Sequence, residues 1–283
     1  MGYVKIPGAT NRVSEFTSSG TWVCPSGVYS AEFLVVGAGG GGGGTSVSTA
    51  LNYASGGGGG GGAVKKVNLI TTPGTSYTIT IGAKGTGASA AVGGNGGFTE
   101  VLNGATTLVR SFGGQGGGAC IADVQTLPTI SRTAAGAGGN GTAGNNTSTK
   151  YGAGGGGAAY GSNATGTVES GTINKFYSSE GTPAGNGSTT LSNYFMGFGS
   201  GGIDGYGAGG SGGATAIGAT NAVAGASYFA GLGNYLTATG AGNGIAAVAN
   251  TGCGGGGGSS FLSTTSTSGG NGADGLVRIV YFA

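Results

Sequence analysis

The chain has no histidine, so acid–base or metal chemistry would fall to eight carboxylates and three thiols spread over 283 residues. The carboxylates are Glu15, Glu32, Glu100, Asp123, Glu169, Glu180, Asp204 and Asp274. Glycoside hydrolysis needs two such groups held about 5–10 Å apart across a sugar. No spacing here brings two together, so they read as surface groups or turn formers, with Asp274 suited to a turn before the last strand. Cys24, Cys120 and Cys253 are odd in number and far apart. That is neither a disulfide framework nor a metal-ligand spacing, and they read as buried thiols. Gly-x-Gly-x-x-Gly matches abound, but no strand–glycine–helix unit surrounds them, so they carry no phosphate-binding signal. Lys65-Lys66 reads as a solvated strand edge. A net charge of +2 gives no preference for nucleic acid or an anionic membrane. Asn146-Thr-Ser148 and Asn163-Ala-Thr165 fit the glycosylation pattern and read as ordinary loop sequence. The expectation is a protein without catalytic residues, metal or cofactor.

Aromatic residues between glycine blocks are the remaining signal. Phe176, Tyr177, Tyr194, Phe195, Phe198, Tyr206, Tyr228, Phe229 and Tyr235 all fall there. They could anchor loops against each other or form a contact surface. Tyr, Ser, Gly and Asn is the mixture that recognition loops favour, because a ring gives large contact area at low entropic cost. Rings stack on sugar faces, and Tyr and Asn reach hydroxyls, so glycan and outer-membrane protein targets both fit. Tyr3, Val4 and Ile6 stand apart in residues 1–14, which read as an attachment arm.

These side chains need a scaffold, and its composition is unusual. Glycine supplies 75 of 283 residues, against an ordinary share of roughly 7%. Charged residues are 6% and aromatics 8%, which separates the chain from disordered sequence. Strand-like stretches rich in β-branched and aromatic residues cover Glu15–Val23, Val28–Val36, Ala63–Ile70, Ser76–Ile81, Phe98–Leu102, Thr107–Phe112 and Leu276–Phe282. The last has apolar residues on both faces and reads as buried on both. Pro25–Gly27 and Pro73–Gly74 supply turns. No helix is expected, since each glycine costs a helix about 1 kcal/mol.

Between the strands run glycine blocks, among them Gly39–Gly44, Gly56–Gly62, Gly113–Gly118 and Gly254–Gly258. An extended threefold helix rises about 3.1 Å per residue and makes no internal hydrogen bonds, so seven glycines reach roughly 20 Å. Its N–H and C=O groups point outward in three directions and must be paired when buried. Rods packed side by side can pair them, and any Cβ would hold the rods apart. Ordering costs on the order of 1–2 kcal/mol per residue, which many rods must offset together.

Phe16-Thr-Ser-Ser-Gly-Thr-Trp22, Pro25-Ser-Gly-Val28 and Phe33-Leu-Val-Val-Gly-Ala-Gly39 resemble the glycine-rich domain of bacteriophage tail-fibre and tail-tip proteins. So do Thr72-Pro-Gly-Thr-Ser-Tyr-Thr-Ile-Thr-Ile-Gly82, Gly93-Gly-Asn-Gly-Gly-Phe98 and Gly272-Ala-Asp-Gly-Leu-Val-Arg-Ile-Val-Tyr281. The same domain type is similar to the glycine-rich extracellular region of some receptor kinases. The resemblance implies an all-β fold, a β-sandwich base with a polyglycine II bundle inserted between its strands. One domain over 15–283 is expected, with framework at 15–112 and 276–282 and rods and loops at 37–62 and 113–275. In rod-and-loop layout the chain is also similar to separate tail-fibre adhesins of contractile-tailed phages, whose loops contact the bacterial surface.

The expectation is therefore a virion tail-fibre or tail-tip protein that binds a bacterial surface receptor and other virion tail proteins, as a homotrimer. Met1–Glu15 lacks an apolar core of signal-peptide length, and Phe33–Val36 is too short to span a bilayer, so synthesis in the host cytoplasm without membrane insertion is expected. Alternatives are a purely structural virion decoration or capsid-fibre protein, and a non-viral ice-binding or extracellular polyglycine protein.

Overall fold

A computed structural model describes residues 10–46, 53–121, 124–125, 142–144, 151–153, 206–210, 214–216, 229–236, 240–261 and 263–283. Among these there is no helix. Eight strands form the base: β1 (Asn11–Phe16), β2 (Gly20–Val23), β3 (Ser30–Val36), β4 (Val64–Ile70), β5 (Ser76–Thr80), β6 (Thr99–Asn103), β7 (Thr106–Ser111) and β8 (Leu276–Phe282). They make two antiparallel sheets, ordered β1-β8-β3-β4 and β2-β5-β6-β7.

Strict alternation faces the sheets towards each other. Phe33 and Val35 of β3 and Val277 and Ile279 of β8 enter the core, where Trp22, Tyr77, Ile79, Val101 and Val109 meet them from the second sheet. Trp22 sits edge-on to Phe33 with centroids 5.7 Å apart, and against Tyr77 and Tyr281. Burying each such side chain stabilises the fold by about 1.5–3 kcal/mol. Two tight turns close the end away from the rods. Val28 N–H reaches Pro25 O and Thr75 N–H reaches Thr72 O. Gly27 and Gly74 take φ of 80° and 78°, the left-handed geometry that a side chain resists.

The sandwich departs from the sequence reading in three places. Glu15–Val23 is two strands, because the chain turns at 17–19 and sends β1 and β2 to different sheets. The framework also starts at Asn11, which pairs with Phe282, so residues 11–14 belong to the sandwich and not to an arm. Finally, β8 is buried on both faces only over its first turn of sequence. Leu276 is covered, whereas outward-facing Phe282 is exposed.

Six strands run directly into or out of glycine rods. The rod at 37–44 continues β3 and is the axis of the bundle. Its N–H groups follow a period of three: Gly37, Gly40 and Gly43 donate to Ala63, Gly60 and Gly57 of the rod entering β4. Ala38, Gly41 and Gly44 donate to Gly97, Gly94 and Ala91, and Gly39, Gly42 and Thr45 donate to Ala273, Gly270 and Thr267. Its carbonyls accept from three further rods, with the same step: Gly114 and Gly117, Gly85 and Ala88, and Gly255 and Gly258. Three antiparallel neighbours thus take its protons and three parallel neighbours give theirs. This is hexagonal packing of threefold helices, and it pairs every N–H of the rod and the carbonyls of residues 38–43, as burial demands.

Close approach is why these positions are glycine. A Cβ on Gly39, Gly40, Gly42 or Gly43 would lie under 3.0 Å from a backbone carbonyl of the next rod. Outer rods are less restricted. In 82–88 Gly82 and Gly85 face inward, while Ala83, Lys84 and Thr86 are exposed. In 93–97 Gly93 and Gly96 are buried and Asn95 is exposed. Side-chain oxygens complete the lattice where no further rod follows. Asn271 Oδ1 accepts from Gly87 N–H and Asp274 Oδ1 from Lys84 N–H, both at 2.8 Å. Asn95 Oδ1 accepts from Gly116 N–H at 2.9 Å, and Asn243 Oδ1 from Ser268 N–H at 2.8 Å. Asp274 therefore closes the bundle's flank and does not form a turn.

Candidate functional site

The rod directions give the molecule two unlike ends. At the base lie the turns and the ends of β1 and β8, where Thr10 and Ala283 exchange backbone hydrogen bonds. At the far end the rods pass into short ladders. Thr45–Ser46 pairs with Cys120–Ile121, and Tyr53–Ser55 pairs with both Thr142–Gly144 and Ser259–Phe261. Ala214–Ala216 pairs with Tyr151–Ala153 and with Tyr235–Leu236. These ladders hold together chain segments that are distant in sequence.

Of the aromatic candidates, Phe176, Tyr177, Tyr194, Phe195, Phe198 and Tyr228 lie outside the described residues, as do Tyr3, Val4 and Ile6. Tyr235 sits at the far end of its rod, in register with Ala214. Tyr206 occupies a different place. It covers the outer face of the first sheet at the foot of the rods, against Val36, Val64 and Leu276. Its hydroxyl accepts from Arg278 Nη2 at 3.1 Å. The hydrogen bond to Glu15, which accepts from Arg278 Nε at 2.9 Å, holds the Arg278 guanidinium above its ordinary pKa, and Tyr206 adds to the effect. The half-buried Tyr206 is a packing residue of the base.

Phe229 lies on the flank, not the tip. Val248 N–H donates to Phe229 O and Ile245 N–H to Leu232 O, which pairs the rods 229–236 and 243–248 side by side. With three residues per turn, Phe229 and Leu232 share one face, and Ile245 and Val248 share one on the neighbour. Phe229, Ile245 and Val248 are all exposed. The sequence reading missed Leu232, Ile245 and Val248. A spacing of three inside a glycine-rich stretch was the signal that could have found them.

Asp123, Glu169, Glu180 and Asp204 lie outside the described residues, and each carboxylate among the described residues is paired with a cation. Glu15 pairs with Arg278, Glu32 with Lys66, Glu100 with Arg110 and Asp274 with Lys84. No two of these four carboxylates share a site. Glu100 is buried, and Arg110 both bonds it at 2.7 Å and lies 4.6 Å above the Phe98 ring. Cys24 is buried with its thiol donating to Val28 O at 3.2 Å, and Cys253 is buried in the rod bundle. Among the described residues no cluster of three His, Cys, Asp or Glu is placed to hold a metal ion, and no helix is long and apolar enough to cross a membrane.

No curated protein matches the chain. A family model does: that of the glycine-rich domain, which aligns over residues 14–282. The aligned segment takes in seven complete strands, all but the first residues of β1 and every rod, and the chain belongs to the glycine-rich domain family.

Proposed function

We propose that this is a virion tail-fibre or tail-tip protein whose aromatic-bearing connections between rods bind the surface of a bacterial host. One observation carries the reading: the rods are locked in a three-residue hydrogen-bond register from the sandwich outward, and long aromatic-bearing connections join them. A rigid platform limits the entropy that recognition loops lose on contact. The receptor is a glycan or an outer-membrane protein, since Tyr, Phe, Asn and Ser suit both. The base, where the first and last strands end, faces the rest of the tail. Assembly as a homotrimer would multiply weak contacts through avidity. Binding is passive, without a catalytic step.

The test uses purified protein on a panel of bacterial strains, including those lysed by phages that encode close relatives of the chain. Saturable binding to a subset of strains, and competition with infection of those strains, is expected. Absence of binding on every strain at micromolar protein overturns the receptor role, and an unaltered infection rate with bound protein overturns the tail assignment.

A further inference from the structure

The outer face of the second sheet carries a carboxylate that is buried although it points away from the core. Glu100 alternates with core-facing Val101, so its side chain leaves the sandwich, yet it is only 8% exposed. Carboxylates are seldom buried unless paired, and the partner here is Arg110, directly opposite on β7. Arg110 Nε and Nη2 reach Glu100 at 2.8 and 2.7 Å, both at the same oxygen, Oε2. Oε1 takes no hydrogen bond among the described residues. Of the five N–H donors of a guanidinium, Glu100 uses two and leaves three. Two rings stand beside the pair. Thr99 and Ser111 are in register, so the next residues outward along the two strands, Phe98 and Phe112, lie across from each other on the face of Glu100 and Arg110. They are 43% and 38% exposed. Arg110 rests 4.6 Å from the centroid of Phe98, and among the described residues no cation rests on Phe112.

We infer that this quartet binds a neutral hexopyranose unit of a polysaccharide. A hydroxyl donates and accepts at once, which is what a carboxylate oxygen beside guanidinium N–H groups asks of an occupant. Neighbouring hydroxyls of one sugar ring present both functions on one side. An anion would be repelled by Glu100 and a cation by Arg110, so the occupant is uncharged. The C–H face of the same sugar ring would lie on Phe112, since an aromatic ring carries negative charge on its face. Hydrogen bonds to charged groups are the strong ones, and both polar members of the site are charged. Arg110 is already held by Glu100 and by the Phe98 ring, so little side-chain freedom remains to be lost on contact. Phe98 follows the rod 93–97 and Phe112 leads into the rod 113–118, so the rings are fixed by packed main chain on either side. The site lies on the sandwich at the foot of the rods, away from the connections. It does not rest on the tail assignment.

Titration of the full chain with soluble α-glucan, mannan and galactan, followed by amide NMR, tests it. At least one of them should shift the amides of 98–100 and 110–112 saturably, below about 10 mM in sugar units. Glu100→Gln turns the free acceptor into an N–H donor, and Phe112→Ala removes an exposed ring. Each should weaken the binding by about tenfold or more. Denaturant unfolding followed by Trp22 shows that both variants are folded. Ile245→Ser, on the rod flank, should leave the binding unchanged. No saturable shift with any of the three polysaccharides overturns the inference. Binding that either Glu100→Gln or Phe112→Ala leaves unchanged also overturns it, and moves sugar recognition to the connections. A response to an uncharged Gly-Ser peptide, with none to any polysaccharide, overturns it in favour of a protein partner.

Discussion

Gly42→Ala tests the packing of main chain on main chain directly. Gly42 lies mid-way along the axial rod, with N–H on Gly270 O and carbonyl accepting from Ala88 N–H. A Cβ there would press on the carbonyl of Gly256, and backbone cannot rotate aside as a side chain could. Ordinary contact requires the rods 37–44 and 252–258 to part by roughly 1.5–2 Å. That stretches Gly255 N–H to Gly40 O and Gly258 N–H to Gly43 O, now 2.9 and 3.0 Å, beyond useful range. Each buried group left unpaired costs about 1–3 kcal/mol. Overpacking strain adds about 1–3 kcal/mol. The smaller entropy of the unfolded alanine chain returns about 0.4–1 kcal/mol. With one such penalty for each stretched bond, the net loss is about 2–9 kcal/mol, a large share of the roughly 5–15 kcal/mol that holds a domain. Gly20→Ala is the control, since its Cβ would lie 3.6 Å from the Phe16 ring, an ordinary contact. Denaturant unfolding followed by the single tryptophan, Trp22, buried in the sandwich, together with far-UV dichroism, measures both variants. If Gly42→Ala fell within about 0.5 kcal/mol of Gly20→Ala, the rods would not be close-packed and the reasoning would fail.

Three further outcomes follow from single contacts. Tyr206→Phe should lower stability by about 0.5–1.5 kcal/mol in denaturant unfolding, through loss of the Arg278 hydrogen bond with the ring packing kept. Arg110→Ala should cost about 1–3 kcal/mol by the same measurement, because buried Glu100 loses its partner while the half-exposed Arg110 side lets water compensate in part. Asn271→Ala should raise amide exchange at Gly87 and leave Gly40–Gly43 protected, a local effect visible by residue-resolved exchange.

The sandwich was legible because its signal is the familiar one. Phe33/Val35 and Tyr77/Ile79 alternate with outward residues, and only their end points moved. The split at 17–19 escaped notice because Thr17 and Ser18 suit a strand as well as a turn. The axial rods were legible as unbroken glycine. The outer rods were not, because 82–88, 93–97 and 243–248 carry Lys, Thr, Asn, Ile and Val. A rod on the flank needs bareness only on its inward faces, so the trace in sequence shrinks to glycine or alanine at every third place, as in Gly82-x-x-Gly85 and Gly93-x-x-Gly96. The packing of Tyr206 on the base was hidden for a related reason. Its neighbours along the chain are glycines, but the residue that explains it, Arg278, lies on the last strand. Spacing also could not show that side-chain oxygens of Asn95, Asn243, Asn271 and Asp274 stand in for absent rods.

The triplet register of the axial rod restricts how such a chain can change over time. Adding or removing one residue within 37–44 would rotate everything beyond it by a third of a turn and aim each donor at the wrong neighbour. Only whole threes leave the pattern intact. Insertions between rods meet no such rule and cost little. A lineage built on this plan would keep its interior length quantised while its connections lengthen, shorten or trade freely, so variation gathers between the rods and spares their interior.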